Sequence, residues 1–256
     1  MSVDSTPHHV AELGVIIVAA GRGERLGAGR PKAFVELGER TLLEYGIRTV
    51  TGLPGPGQLV LVVPDGCAAE TLEIVETVVP GGSSWQVAVA PGGRERHESV
   101  RSGLDALHDS IRTVLVHDAA RPLTPSAVFE RVIAEVRRTG DGVVPAMPVA
   151  DTLKRIDGTG LVRATEDRSA LAAVQTPQGF LRERLAAAHA TAQARAAADP
   201  AAQSAPTDDA EVVQRFGGVV RTVAGDPRAH KVTGPVDLLL LGGLLGESSH
   251  DERIAR

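Results

Sequence analysis

Arg25 and Lys32 lie in the run Val15-Ile-Ile-Val-Ala-Ala-Gly-Arg-Gly-Glu-Arg-Leu-Gly-Ala-Gly-Arg-Pro-Lys32. An apolar β-branched stretch stops in a loop of glycine and arginine, and a lysine closes that loop. Backbone without side chains at the end of a strand allows close approach, and cations placed around it suit a polyphosphate. Two better-known phosphate loops are excluded. The P-loop, G-x-x-x-x-G-K-[ST], needs glycine where Leu26 stands, and Lys32 follows Pro31. Gly21 and Gly23 begin a dinucleotide fingerprint, but Leu26 also occupies its third glycine position. The loop is a third kind, and the chemistry it suggests is handling of a nucleoside triphosphate.

Four further clusters carry reactive types. Pro91-Gly-Gly-Arg-Glu-Arg-His-Glu-Ser99 pairs two glycines with a hydroxyl donor. In Val116-His-Asp-Ala-Ala-Arg-Pro122, Asp118 suits a place near a magnesium ion or the orientation of a substrate hydroxyl. Arg121 suits a bidentate phosphate clamp. Asp151-Thr-Leu-Lys-Arg155 is followed by Asp167-Arg168 and Gln175-Thr-Pro-Gln178, a charged group that taken alone is a solvated surface. His230-Lys-Val-Thr233 places Lys231 just before a C-terminal helical pattern. Cys67 has no activating neighbour in sequence and reads as a small packed residue.

The elements that must position these residues follow from periodicity. Apolar runs at 15–19, 59–63, 86–90, 113–117 and 142–145 predict strands. Amphipathic patterns at 41–50, 68–78, 98–107 and 126–138 predict helices between them. Such alternation implies an α/β protein with a mostly parallel, Rossmann-like sheet and helices on both faces. Ligands of such sheets bind beyond the carboxyl ends of the strands, where the first three clusters converge. The pattern then breaks. Residues 149–163 predict a hairpin turning at Asp157-Gly158-Thr159-Gly160, an insertion that reads as an arm or as a local excursion of the sheet. An alanine-rich helix at 182–198, a low-complexity loop at 199–206, a helix capped by Thr207, a strand at 219–223 and a last helix at 235–245 complete the chain. The expected organisation is a disordered lead over 1–12, one domain over 13–246 with its β-arm at about 149–176, and a frayed polar tail over 247–256.

Composition narrows the function classes. The 256 residues are 43% hydrophobic and 23% charged, as in ordinary soluble domains. Aromatics at 2% leave no stacking platforms for single-stranded nucleic acid, and a net charge of −5 supplies no basic field for DNA or RNA. One cysteine excludes an intrachain disulfide, and the histidines show no zinc-ligand spacing. No apolar run reaches the ~18 residues of a membrane span, and the N-terminus lacks a signal pattern, so a cytoplasmic location is expected.

In this order and spacing, the clusters resemble the 2-C-methyl-D-erythritol 4-phosphate cytidylyltransferase family from about Val15 to Leu245. His117-Asp-Ala-Ala-Arg-Pro, Asp151-Thr-Leu-Lys and Thr176-Pro-Gln carry the resemblance most strongly. It implies transfer of cytidylyl from CTP to methylerythritol phosphate with Mg2+, in non-mevalonate isoprenoid precursor synthesis, by a homodimer that exchanges arms. It implies that Arg25, Lys32, Asp118 and Lys231 are catalytic, with Asp118 also near the metal, as a direct or an indirect partner. Ala19, Ala20, Gly21, Gly23, Gly93, Ser99 and Ala119 would hold the nucleotide. Arg121, Thr152, Arg168 and Thr176 would hold the alcohol substrate, with Thr152 and Arg168 reaching the partner's site. Val18 and Arg94 depart from the family's usual proline and usual acid or small residue. The competing readings are a cytidylyltransferase for ribitol 5-phosphate or another sugar phosphate, and a non-catalytic nucleotide-binding module.

Overall fold

A computed structural model describes residues 11–198 and 206–254. Most of the expected lead and of the low-complexity loop lies outside these described residues. In chain order the elements are β1 (Leu13–Val18), β2 (Glu36–Leu37), β3 (Arg40–Thr41), α1 (Leu42–Thr51), β4 (Gly57–Val63), α2 (Ala68–Val78), β5 (Trp85–Pro91), α3 (Arg96–Asp105), β6 (Thr113–Asp118), α4 (Ser126–Thr139) and β7 (Gly142–Pro148). There follow β8 (Lys154–Ile156), β9 (Val162–Thr165), β10 (Ala172–Val174), β11 (Gln178–Leu181), α5 (Arg182–Ala198), α6 (Asp209–Arg215), β12 (Val220–Ala224) and α7 (Pro235–Ile254).

The main sheet has eight strands. β6, β1, β4 and β5 are neighbours in that order and all parallel. β11 inserts antiparallel between β6 and β7, and β12 pairs parallel with β7. Every residue of β4 is buried, as expected of a strand covered on both faces. Alternation along β1 assigns its residues to two cores. Val15 and Ile17 pack with Ile47 of α1 and with Phe129 and Val132 of α4. Ile16 packs on the other face with Val100 and Leu104 of α3 and Leu185 of α5. A third cluster of Leu26, Val35, Leu37, Leu42, Val232 and Leu241 ties the glycine loop to the start of α7. That cluster joins the first and last functional motifs of the chain.

Local chemistry sets the helix starts. Thr41 and Glu44 form a capping box for α1: Thr41 Oγ1 accepts from Glu44 N at 3.3 Å, and Glu44 Oε2 accepts from Thr41 N at 2.6 Å. For α6 the expected cap is corrected. Asp208, not Thr207, accepts from Glu211 N, at 2.8 Å, while Thr207 donates through N and Oγ1 to Glu211 Oε2. Asp208 stands one residue nearer the helix, and its short carboxylate reaches the third amide without bending the chain.

The insertion is a separate two-stranded hairpin of β8 and β9, with all of its strand residues exposed. It is therefore not an excursion of the main sheet. Within the expected span of about 149–176, β10 pairs with β7 inside the main sheet. α7 also continues past the expected end at 245 to Ile254. No proline follows Pro235 to stop it, and the polar residues there are compatible with a helix. Among the described residues no helix is long and apolar enough to cross a membrane.

Candidate active site

The carboxyl ends of β1, β5 and β6 open into one cleft of about 290 Å³. Three loops build it. After β1 the chain turns through Gly23 at φ +70°, and a 3-10 turn over Glu24–Leu26 leads to a second over Lys32–Phe34. Lys32 N donates to Gly21 O at 3.2 Å, which closes the loop on itself. After β5, Gly92 fits against the first loop only because it lacks a side chain: a Cβ there would lie 2.3 Å from Ala20 Cβ. Ser99 of α3 organises the same turn, accepting from Gly93 N at 3.0 Å and donating to Glu95 O at 3.3 Å. After β6, Ala120 O accepts from Val232 N at 2.8 Å, drawing the C-terminal segment into the site.

The charged groups converge on Asp118. Lys231 Nζ donates to Oδ2 at 2.7 Å, and Arg96 Nε and Nη2 both donate to Oδ1 at 3.3 Å. Burial pushes the Asp118 carboxyl up, but Arg96 and Lys231 outweigh it and hold the group well below the usual carboxylate range. Lys32 Nζ donates to Val232 O at 3.0 Å. Burial and then the Lys231 ammonium keep Lys32 below the usual lysine range, against the pull of Asp118. Asp237 fixes the loop that carries Lys231. It accepts from Thr233 N, Thr233 Oγ1 and Gly234 N at 2.6, 2.6 and 2.8 Å, and His230 Nε2 lies 2.8 Å away.

Ala19, Ala20, Gly21, Lys32 and Gly93 line the cleft, as do Ser99, Asp118, Ala119 and Lys231. Gly23 is not on the cleft wall; a Cβ there would meet Lys32 Cβ at 2.8 Å, so it shapes the lysine's path. Arg25 is exposed beside the cleft rather than in its wall. Thr176 is buried behind Asp118, where Oγ1 accepts from Asp118 N at 3.1 Å and lies 3.1 Å from His117 Nδ1. Arg121 is not in the cleft wall; it donates to Ala229 O at 2.7 Å and to Val174 O of β10 at 3.3 Å. Its Nε is buried without a hydrogen-bond partner among the described residues. Thr152 and Arg168 are exposed on the insertion and do not enter their own chain's cleft; Arg168 Nη1 donates to Ala150 O. Sequence reasoning passed over Arg22 and Arg96, which line the cleft. Arg22 was legible as a cation directly after Gly21, whereas Arg96 stands in the Pro91–Ser99 cluster without a readable role because its partner Asp209 is remote in sequence.

Asp118 is the acid at the end of β6, and both its oxygens are engaged. Among the described residues no group of three His, Cys, Asp or Glu is placed to hold a metal ion. A magnesium ion commonly binds through one or two carboxylates plus substrate phosphates. This donor set fits an ion carried largely by a polyphosphate and not by a protein cage.

Strand ends holding a glycine loop, half-buried cations and one ionised acid, on a mainly parallel sheet, define an α/β nucleotidyltransferase. A profile of the IspD family, 2-C-methyl-D-erythritol 4-phosphate cytidylyltransferase, matches residues 13–247, and the chain belongs to this family. The chain is 45% identical to the cytidylyltransferase of that name from Rhodococcus opacus (strain B4) over 92% of this chain and 96% of that protein. It is 51% identical to the bifunctional enzyme IspD/IspF of Clavibacter michiganensis subsp. michiganensis (strain NCPPB 382) over 88% of this chain, and the match spans about half, 52%, of that longer protein. A solved structure, the 2-C-methyl-D-erythritol 4-phosphate cytidylyltransferase of Thermus thermophilus, superposes with a TM-score of 0.71 at 33% identity, covering 92% of this chain and 98% of that one.

Proposed function

We propose that this chain transfers the cytidylyl group of CTP to 2-C-methyl-D-erythritol 4-phosphate and releases pyrophosphate. An oxygen of the acceptor phosphate attacks the α-phosphorus of CTP, and the bond from that phosphorus to the departing pyrophosphate breaks. Little covalent chemistry falls to the protein, so positioning and charge neutralisation supply the acceleration. The observation that carries the proposal is the meeting of Lys32, Lys231 and Asp118 in one cleft beside the glycine loop, in a chain of this family.

Each residue has a separable task. The backbone of Ala19, Ala20, Gly21, Gly93 and Ala119, shaped by Ser99, receives the nucleoside. Lys32, with Arg25 and Arg22 at the cleft mouth, neutralises the triphosphate and the charge that grows on the departing pyrophosphate. Lys231, placed by Asp118, neutralises the attacking phosphate. Arg121 lies on the acceptor side. Magnesium, when bound with the nucleotide, would supply further neutralisation of phosphate oxygens, with Asp118 as the acid on its side of the cleft.

The exposed β8–β9 hairpin favours a homodimer in which Thr152 and Arg168 complete the partner's acceptor site. The reading also includes a cytoplasmic location and no nucleic-acid partner. Pyrophosphate release tests the nucleotide half of the proposal. CTP should be strongly preferred over ATP and GTP, and excess chelator should abolish turnover. Equal turnover with all three nucleotides, or full activity in chelator, would overturn it.

A further inference from the structure

Arg96 is the one guanidinium among the described residues whose two ends rest on two different buried acids. It sits in the first turn of α3, and it forks. Nε and Nη2 reach Asp118 Oδ1 on β6, both at 3.3 Å, while Nη1 reaches Asp209 Oδ2 on α6 at 2.6 Å. Asp209 is 1% exposed, and its other oxygen lies 3.2 Å from His189 Nε2 on α5. Arg96 therefore connects the acid of the cleft to an anchor at the start of α6. Burial opposes the charge of Arg96, but Asp209 and Asp118 prevail and hold it above the usual arginine range.

Asp118 is shared as a result. Arg96 occupies Oδ1 and Lys231 occupies Oδ2. Two cations that divide one carboxylate each feel part of its charge. If Arg96 is replaced by an uncharged residue, Lys231 is left as the one side-chain cation among the described residues hydrogen-bonded to this buried carboxylate, in surroundings where such attraction is strong. An incoming phosphate must then compete with that carboxylate for the ammonium. We propose that Arg96 is a positioning residue for the transfer: by clamping Asp118 against Asp209 it keeps Lys231 available to the acceptor phosphate. The inference rests on the function proposed above and assigns to that site a residue that acts through Asp118 and Lys231.

The nucleoside side of the cleft does not depend on this fork. Glu98 Oε2 holds the start of α3 by accepting from Arg94 N at 2.7 Å and Glu95 N at 3.2 Å, and Ser99 holds Gly93. A positioning role therefore separates the two substrates, whereas a purely structural role does not.

The test is a double-mutant cycle of Arg96→Gln and Lys231→Gln, with KM and kcat measured for each substrate and thermal melting measured for each variant. Arg96→Gln should lower kcat/KM for the acceptor phosphate by roughly ten- to a hundredfold, the range of a hydrogen bond to a charged group. KM for CTP should stay within about threefold, since uniform binding of the nucleotide is untouched. In the Lys231→Gln background, Arg96→Gln should add little, because both act through the same carboxylate. Arg96→Lys, which keeps charge but cannot span both acids, should recover part of the loss. Additive losses in the cycle, or a parallel rise in both KM values, would overturn the inference. If Arg96→Gln fails to fold, Arg96→Lys carries the same cycle; failure of both to fold also contradicts it, because the fork would then support the fold and not the site. Absence of CTP turnover in the unmodified chain would instead contradict the proposed function.

Discussion

Burial separates two of the cations of the glycine loop, Lys32 and Arg25. Lys32 is half-buried with its ammonium fixed on Val232 O, whereas Arg25 is exposed to solvent, where charge is screened. Lys32→Ala should therefore lower kcat by on the order of 10²–10³, the range for one preorganised donor to developing charge, and Arg25→Ala by less. Steady-state kinetics of the two variants checks that order. In the proposed role Lys32 acts as an ammonium, and its pKa is lowered, so that charge is lost as pH rises through a value below the usual lysine range. The basic limb of the kcat profile should fall there, and Lys32→Arg should move it upward. His117 makes a different pH statement. Burial pushes it down to about 4 from an ordinary 6.5. Between those values the unfolded chain binds a proton that the folded chain does not, so stability is full above 6.5 and declines as pH falls toward 4. Urea midpoints should show this decline, about 3 kcal/mol, and His117→Asn should flatten it.

Loops and strands set where these groups stand, and two glycines distinguish the ways they do so. Nothing lies within 4 Å of a Cβ added at Gly21, which faces the cleft, while one added at Gly92 would collide with Ala20 Cβ and approach Val63 O at 3.1 Å. Gly21→Ala should leave the melting temperature unchanged and weaken CTP binding. Gly92→Ala should lower both, by ~1–3 kcal/mol in stability as overpacking does. Calorimetry of binding and unfolding separates the two outcomes. The same loops were legible in sequence because a β-branched run ending in glycine has few alternatives, and strands β1, β4, β5 and β6 lie within a few residues of where periodicity places them. β11 was not legible. Gln178-Gly-Phe-Leu181 is short and unpatterned, and a glycine, normally poor in strands, stands at 179 because α4 packs so closely that a Cβ would lie 2.5 Å from Val132 Cγ1. The Arg96–Asp209 pair was hidden for a related reason: a contact between remote segments leaves no periodic trace.

The whole molecule presents a hairpin, β8–β9, that among the described residues pairs with no strand of the main sheet, with Thr152 just before it and Arg168 just after it. If two copies complete each other's sites, Lys32→Ala and Arg168→Ala homodimers should regain activity on mixing, because exchange leaves one site intact and loads both lesions into the other. Recovery should approach half of the unmodified activity per heterodimer; demonstrated exchange without recovery, or a fully active monomer, would contradict the arrangement. The central claim, the identity of the acceptor, is tested most directly by pyrophosphate release with CTP across a panel of polyol phosphates. Methylerythritol phosphate should give turnover well above ribitol 5-phosphate and other sugar phosphates, with a CDP-alcohol formed in equal amount to pyrophosphate. Preference for another member of the panel, or pyrophosphate release that needs no acceptor, would contradict it.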